Sequence, residues 1–151
     1  TGGVRVLRNP RNLGFLRSAN LGARAARGEF LLFLNNDTEV GEGWLDELVR
    51  TFELMPEVGV AGSKLVYPDG RLQEAGGIVR RLGDAANWGN GRDPDEPRFC
   101  YLRDADYVSG AALMVPRALF EELGGFDEEF APAYYEDTDL CFRARRAGRR
   151  V

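Results

Sequence analysis

Apolar and polar positions along this chain fall into short blocks whose period changes from one element to the next. The strongest block is FLLFL, Phe30 to Leu34, which runs without a polar residue into Asn35, Asn36, Asp37 and Thr38. A short unbroken apolar run closed by a turn signal predicts a strand buried on both faces, as in parallel or mixed sheets. Its polar end then emerges at a sheet edge. In open α/β sheets ligands sit outside the carboxyl ends of strands, which puts Asp37 where a phosphate-bound metal can be held. The same residues have a plainer use, because Asn and Asp side chains bond their own backbone and make turns.

Upstream, Val4 to Leu7 reads as a short strand and Asn9 to Gly14 as a turn-rich link. Phe15, Ala19, Ala23 and Ala26 then recur at helical spacing, with Asn20, Arg24 and Arg27 on another face and Gly28 placed as the stop. Strand, helix and strand make one βαβ unit, which predicts a parallel pair with a right-handed crossover. Downstream, Leu45, Leu48, Val49 and Phe52 stand at i, i+3, i+4 and i+7, predicting an amphipathic helix from about Trp44 to Leu54 closed by Pro56. A strand from Val58 to Val66 follows, then a tight turn at Tyr67 to Gly70. Leu72 to Val79 returns as its hairpin partner, weakened by Gly76 and Gly77.

Periodicity disappears from Arg80 to Phe99, where glycines and prolines among charges predict a long irregular loop, either a lid or a mobile segment. Strand pattern resumes from Ala105 to Val115. Pro116 opens a helix carrying Leu119, Phe120 and Leu123, which Gly124 and Gly125 end. The last helix starts at about Thr138, with Leu140, Ala144 and Ala147 as its apolar stripe and Gly148 as its stop.

Composition narrows the chemistry. The 151 residues are 44% hydrophobic and 29% charged, with a net charge of -4, which fits one globular domain and argues against a nucleic-acid partner. Cys100 and Cys141 stand in no metal-ligand spacing, and a reducing compartment is the simpler expectation. There is no histidine. Schemes built on a His base or ligand are therefore excluded, and carboxylates are left as the acid/base candidates. The chain begins at Thr1 rather than Met, so it is expected to be a piece of a longer one.

A second acidic cluster, Glu136, Asp137, Thr138 and Asp139, follows Tyr134 and Tyr135 at the start of the last helix. Acids and Thr there can simply cap free backbone N–H groups and complement the helix dipole. Two separated acidic sites are also what metal-assisted group transfer needs: one carboxylate for the cation, another to take a proton from an attacking hydroxyl.

Taken together and in order, NLGFLRSANLG (Asn12 to Gly22), FLLFLNNDTEV, VGVAGSKLVYPDGRLQEAGG (Val58 to Gly77), YVSGAALMVPRALFEELGGFDEEF (Tyr107 to Phe130) and YYEDTDLCFRARRAG (Tyr134 to Gly148) resemble the family 2 inverting glycosyltransferases, especially the rhamnosyltransferase-like branch. The resemblance spans nearly the whole chain. It implies a GT-A fold, an α/β architecture with a mixed, mostly parallel sheet flanked by helices, here a partial catalytic domain over residues 1–151. It further implies a nucleotide-sugar donor, Mg²⁺ or Mn²⁺, and transfer of a sugar to a glycan or lipid-linked acceptor in polysaccharide or cell-wall biosynthesis. The place of work it implies is cytoplasmic, at or near the inner face of the membrane. By residue, Asp37 matches the last acid of the family's Asp-x-Asp metal motif, and Asn35 stands where the first acid often is. Asp137 matches the catalytic base and Glu136 its acidic neighbour. Asn12, Asn20, Asn35, Asn36 and Gly110 match positions near the donor.

Two departures set further expectations. The family has a first strand and helix before Val4, so a sheet edge is expected to be uncovered, inviting a homodimer through it. Arg149, Arg150 and Val151 look like the opening of another strand, with the arginines solvated at a helix end rather than binding diphosphate. The alternative to an enzyme is a noncatalytic remnant of the same fold serving as a carbohydrate-binding or assembly module. A nucleotidyltransferase is disfavoured, since no Gly-rich phosphate loop precedes a helix.

Overall fold

The computed structural model describes residues 3–151. Its elements are α1 (Gly14–Ala25), β1 (Phe30–Leu34), α2 (Trp44–Leu54), β2 (Ala61–Gly62), β3 (Leu65–Val66), β4 (Leu72–Glu74), β5 (Gly77–Val79), β6 (Ala85–Asn87), β7 (Ala112–Pro116), α3 (Arg117–Glu122) and α4 (Glu136–Arg146).

β1 is a strand buried from both sides, as its unbroken apolar run requires. It pairs antiparallel with β7 from Phe30 opposite Pro116 to Leu34 opposite Ala112. Alternation sends Leu31 and Phe33 to one face, where they meet Leu16 of α1, Phe120 of α3 and Leu140 of α4. Phe30 and Leu32 go to the other, against Leu48 and Phe52 of α2. Helices thus cover both faces of one sheet. Phe33, Phe120 and Phe126 form its densest knot, with ring centroids 4.8 to 5.3 Å apart. Burying one such ring contributes about 2 to 3 kcal/mol.

The sheet order is β1-β7-β2, and β7 runs antiparallel to both neighbours. The expectation of a mixed, mostly parallel sheet is corrected: both ladders are antiparallel, with β1 and β2 pointing the same way on either side of β7. The parallel contact comes from Val58 bridging Arg150, where Gly59 donates to the Arg150 carbonyl at 2.8 Å and Arg150 to Glu57 at 2.9 Å. That bridge agrees with reading Arg149 to Val151 as a strand opening. The Arg150 guanidinium lies between Glu57 and Asp104, paired with carboxylates rather than open to a diphosphate.

Three further expectations are corrected. Val4 to Leu7 joins no ladder, and Val4 and Val6 are exposed, so the βαβ unit lacks its first strand and the outer edge of β1 is unpaired among the described residues. α1 stops at Ala25, before Gly28, because Ala26 is already extended. The long strands at Val58 to Val66 and Leu72 to Val79 are broken into β2, β3, β4 and β5, since β4 pairs with β3 while β5 turns away to pair with β6.

That second hairpin also organises the segment expected to be an irregular loop. Arg80 donates to the Asp84 carbonyl across the turn, and farther on Trp88 packs against the buried Phe99. α2, by contrast, has the bounds its periodicity predicts. Gly124 and Gly125 end α3 with φ of +81° and +80°, a left-handed pair that L side chains resist.

Candidate functional site

The site grows from the junction between the end of β1, the turn before β7 and the start of α4. β1 delivers Asn35 to the sheet edge, where its backbone N–H donates to the Ala111 carbonyl at 3.0 Å. The Asn35 carbonyl then accepts from the N–H and hydroxyl of Thr38, which folds Asn36 and Asp37 into an exposed turn. One residue before Ala111, the Gly110 N–H donates to Asp137 Oδ2 at 2.9 Å. The two acidic turns are therefore tied to the same stretch of main chain.

Asp137 is half-buried in the first turn of α4. Its Oδ1 accepts from the N–H of Thr138 at 2.6 Å and from the Thr138 hydroxyl at 3.2 Å. It thus serves as a local cap and faces Gly110 at the same time. A carboxylate has about four lone-pair sites, so these bonds leave it able to accept a further hydroxyl. Arg143, one helical turn past Asp139, pairs with it at 2.6 Å and donates to the carbonyls of Leu123 and Gly125, which fixes α4 against the end of α3.

Glu136 is buried beside Asp137, and its Oε2 has no hydrogen-bond partner among the described residues. Burial pushes its carboxyl above the ordinary range, and the Asp137 charge adds to the rise. Before it, Tyr134 and Tyr135 both adopt left-handed φ, +82° and +69°, and both are exposed. Two such residues in a row cost on the order of 1 to 3 kcal/mol each, and strain of this kind gathers at functional sites.

These residues line a cleft of about 210 Å³. Its other wall carries Glu74 of β4, Asn87 of β6 and Tyr107. Tyr107 is buried, donates to Asn87 at 3.3 Å and packs so closely on Gly77 that any side chain there would overlap its ring. Burial, with the charges of Glu74 and Asp137, pushes its hydroxyl up to about 12. A separate apolar groove between α2 and Phe99 to Leu102 lies away from these carboxylates.

The remaining candidates divide. Asp37 is exposed and enters no ion pair or hydrogen bond among the described residues, and no group of three acidic, Cys or His side chains gathers there. A free single carboxylate fits a divalent cation that takes its other oxygens from phosphates and water, the usual way Mg²⁺ is held beside a nucleotide. It does not make a closed cage. Asn12 accepts from the Gly14 N–H at 2.9 Å and opens α1. Asn20 is corrected: it is buried, and its amide donates to the carbonyl and accepts from the N–H of Phe126, a tie within the fold rather than an exposed contact for a donor.

Sequence reasoning passed over Glu74 and Tyr107. In LQE, Glu74 shares the buried phase of Leu72, and a carboxylate in the apolar register of a strand is the signal that was available.

A family model, Glycosyl transferase family 2, matches residues 1–124. An O-antigen biosynthesis protein of Myxococcus xanthus is 41% identical over 138 residues, covering 87% of this chain and 11% of that protein. An N-acetylglucosaminyl-diphospho-decaprenol L-rhamnosyltransferase of Mycobacterium tuberculosis is 28% identical over 173 residues, covering 96% of this chain and 54% of that one. The chain thus spans only part of the length of these relatives. Among solved structures, GalNAc-T7 with UDP, GalNAc and Mn²⁺ superposes with a TM-score of 0.66 at 16% identity, over 95% of this chain and 29% of the other, a likeness of fold.

Proposed function

From the premise that this chain belongs to glycosyl transferase family 2 and has the GT-A fold, we propose that it moves a sugar from a nucleoside-diphosphate donor to a hydroxyl of a glycan or lipid-linked acceptor, with inversion at the anomeric carbon. The observation that carries this reading is the tie of both acidic turns to one short stretch of main chain, through the bonds of Asn35 to Ala111 and of Gly110 to Asp137.

Asp137 acts as base. The acceptor oxygen attacks the anomeric carbon, its proton passes to the Asp137 carboxylate, and the bond from that carbon to the diphosphate oxygen breaks with its electron pair leaving on the diphosphate. Asp37 is the residue that would hold Mg²⁺ or Mn²⁺, which would supply positive charge to offset that building on the departing diphosphate. Mn²⁺ in the GalNAc-T7 crystal supports a divalent ion in this fold. Glu136 lies buried beside the base, and burial with the neighbouring Asp137 charge raises its carboxyl above the ordinary range.

The names of the relatives support the acceptor class, one being an O-antigen biosynthesis protein and another acting on a lipid diphosphate sugar. The free outer edge of β1 is the surface through which a second copy would pair, which light scattering tests. The function itself is tested by incubating the protein with Mn²⁺ and a panel of nucleotide sugars and following nucleoside diphosphate release with and without saccharide acceptors. Release stimulated by an acceptor supports transfer; no release from any donor argues for a noncatalytic carbohydrate-binding module.

A further inference from the structure

One carboxyl group in the cleft has no part in the transfer step. Glu74 comes from β4, far in sequence from α4, and alternation along that strand turns it inward with Leu72 so that only 3% of it is exposed. It lines the same cleft as Asp137 and Glu136. A second observation points to a ligand there. Glu136 is 6% exposed and its Oε2 is unpartnered, and buried polar atoms left unpaired in a native fold call for an explanation such as a bound group.

The chemistry of the lining says which kind of group. No Arg or Lys lines this cleft, so it suits neither phosphate nor diphosphate. Arg103 donates to the carbonyl of Ala75, next to Glu74, and lies over Trp88, and it does not line the cleft. Carboxyls, the amide of Asn87 and aromatic rings at the rim match a neutral polyol, with hydroxyls on the polar groups and a C–H face on a ring.

Building on the transferase reading, we propose that Glu74 is a specificity-determining residue for the acceptor sugar, its carboxyl hydrogen-bonded to the hydroxyl adjacent to the one that attacks. Glu74 takes no proton from the reaction; that remains with Asp137. Burial pushes the Glu74 carboxyl up to about 7, the nearby Asp137 charge adds to this, and the Ser109 backbone N–H opposes it. Besides Asp137 and Glu136 of α4, the titratable groups lining the cleft with it are Tyr134 and Tyr135 of the preceding turn and Tyr107 before β7. A substantial share of Glu74 is therefore protonated near neutrality, and a protonated carboxyl can both donate to and accept from one hydroxyl. Raising the pH removes the donor and adds a second negative charge beside Asp137.

The test is a titration of the full chain with methyl pyranosides of gluco, galacto, manno and 6-deoxy-manno configuration. Binding is followed by NMR at Asn87 and Gly110, with UDP and dTDP in Mn²⁺ as control ligands. The expected result is that at least one pyranoside binds and that its affinity falls severalfold from about pH 6 to about pH 8. Glu74→Gln, close in shape and a permanent donor, should keep the affinity and lose the pH dependence. Glu74→Ala should weaken the sugar by roughly tenfold and leave nucleotide binding unchanged.

The proposal is overturned if no pyranoside binds, if Glu74→Ala binds it as the wild type does, or if Glu74→Gln loses sugar and nucleotide together. Sugar binding that depends on Glu74, in a protein that transfers from no nucleotide sugar, would instead overturn the transferase reading alone.

Discussion

Asn20 holds both backbone polar groups of Phe126, donating to its carbonyl at 2.8 Å and accepting from its N–H at 3.0 Å. This pins the loop after α3 to α1 beneath the aromatic knot of the core. A short side chain in the middle of a helix thus does the work of a strand partner.

Replacing it exposes that dependence. Asn20→Ala leaves the buried N–H and carbonyl of Phe126 unpaired, which should cost roughly 2 to 4 kcal/mol in urea denaturation. Nucleotide binding by the fraction that remains folded should match the wild type. Weaker nucleotide binding without a loss of stability would return Asn20 to the donor site.

For Asp137, substitution by Asn keeps the shape and can still accept from the Gly110 N–H, but it cannot take a proton at neutral pH. Turnover should fall by roughly 10² or more while binding of nucleoside diphosphate survives, as read by steady-state kinetics beside calorimetry. Near-normal turnover would leave Asp137 as a helix cap only.

Asp37→Asn tests the cation. Calorimetry with a nucleoside diphosphate should show tighter binding in Mn²⁺ than in chelator for the wild type, and no difference for the variant. The protein should otherwise be as stable, since Asn serves such a turn well. Equal wild-type binding with and without metal would remove Asp37 from that role.

Glu74 gives stability a pH signature. Its folded carboxyl sits at about 7, above the ordinary 4.5, so the folded state holds a proton that the unfolded chain has released between those values. Its contribution is fully present below about 4.5 and is lost as pH rises through about 7, a fall of about 3 kcal/mol at most. Glu136, also raised, acts in the same direction. Glu74→Gln should flatten the decline seen by thermal denaturation between about pH 5 and about pH 8. An unchanged slope would mean that Glu74 is solvated in the native state.

What could be read beforehand was whatever local pattern decides alone. An apolar run such as Phe30 to Leu34 has to be covered on both faces wherever it lies, and the spacing of Leu48 and Phe52 leaves α2 one way to turn. Pairing is different, because it depends on which edge is available. Val4 to Leu7 has strand residues but no ladder among the described residues, while β1 takes a distant antiparallel partner in β7 that no local signal names. Asn20 was misplaced for a related reason: an amide looks solvent-facing until a backbone segment arrives to use it. Within the candidate site, Asp137 and Asp37 could be singled out as candidates because each sits at a turn bounding an element. Glu74 was hidden in a strand expected to run from Leu72 to Val79 that ends at Glu74 itself.

The turn carrying the proposed cation ligand and the helix start carrying the proposed base are both tied to adjacent main-chain atoms, the Asn35 N–H reaching the Ala111 carbonyl and the Gly110 N–H reaching the Asp137 carboxylate. For protein engineering this makes the junction behave like a fixed gauge. Cleft side chains other than Asp137 can be randomised to retune the sugar proposed to bind there while the spacing between the acidic turns stays put. A single residue inserted between Gly110 and Ala111 would shift both turns at once, so the two halves cannot be exchanged as independent cassettes.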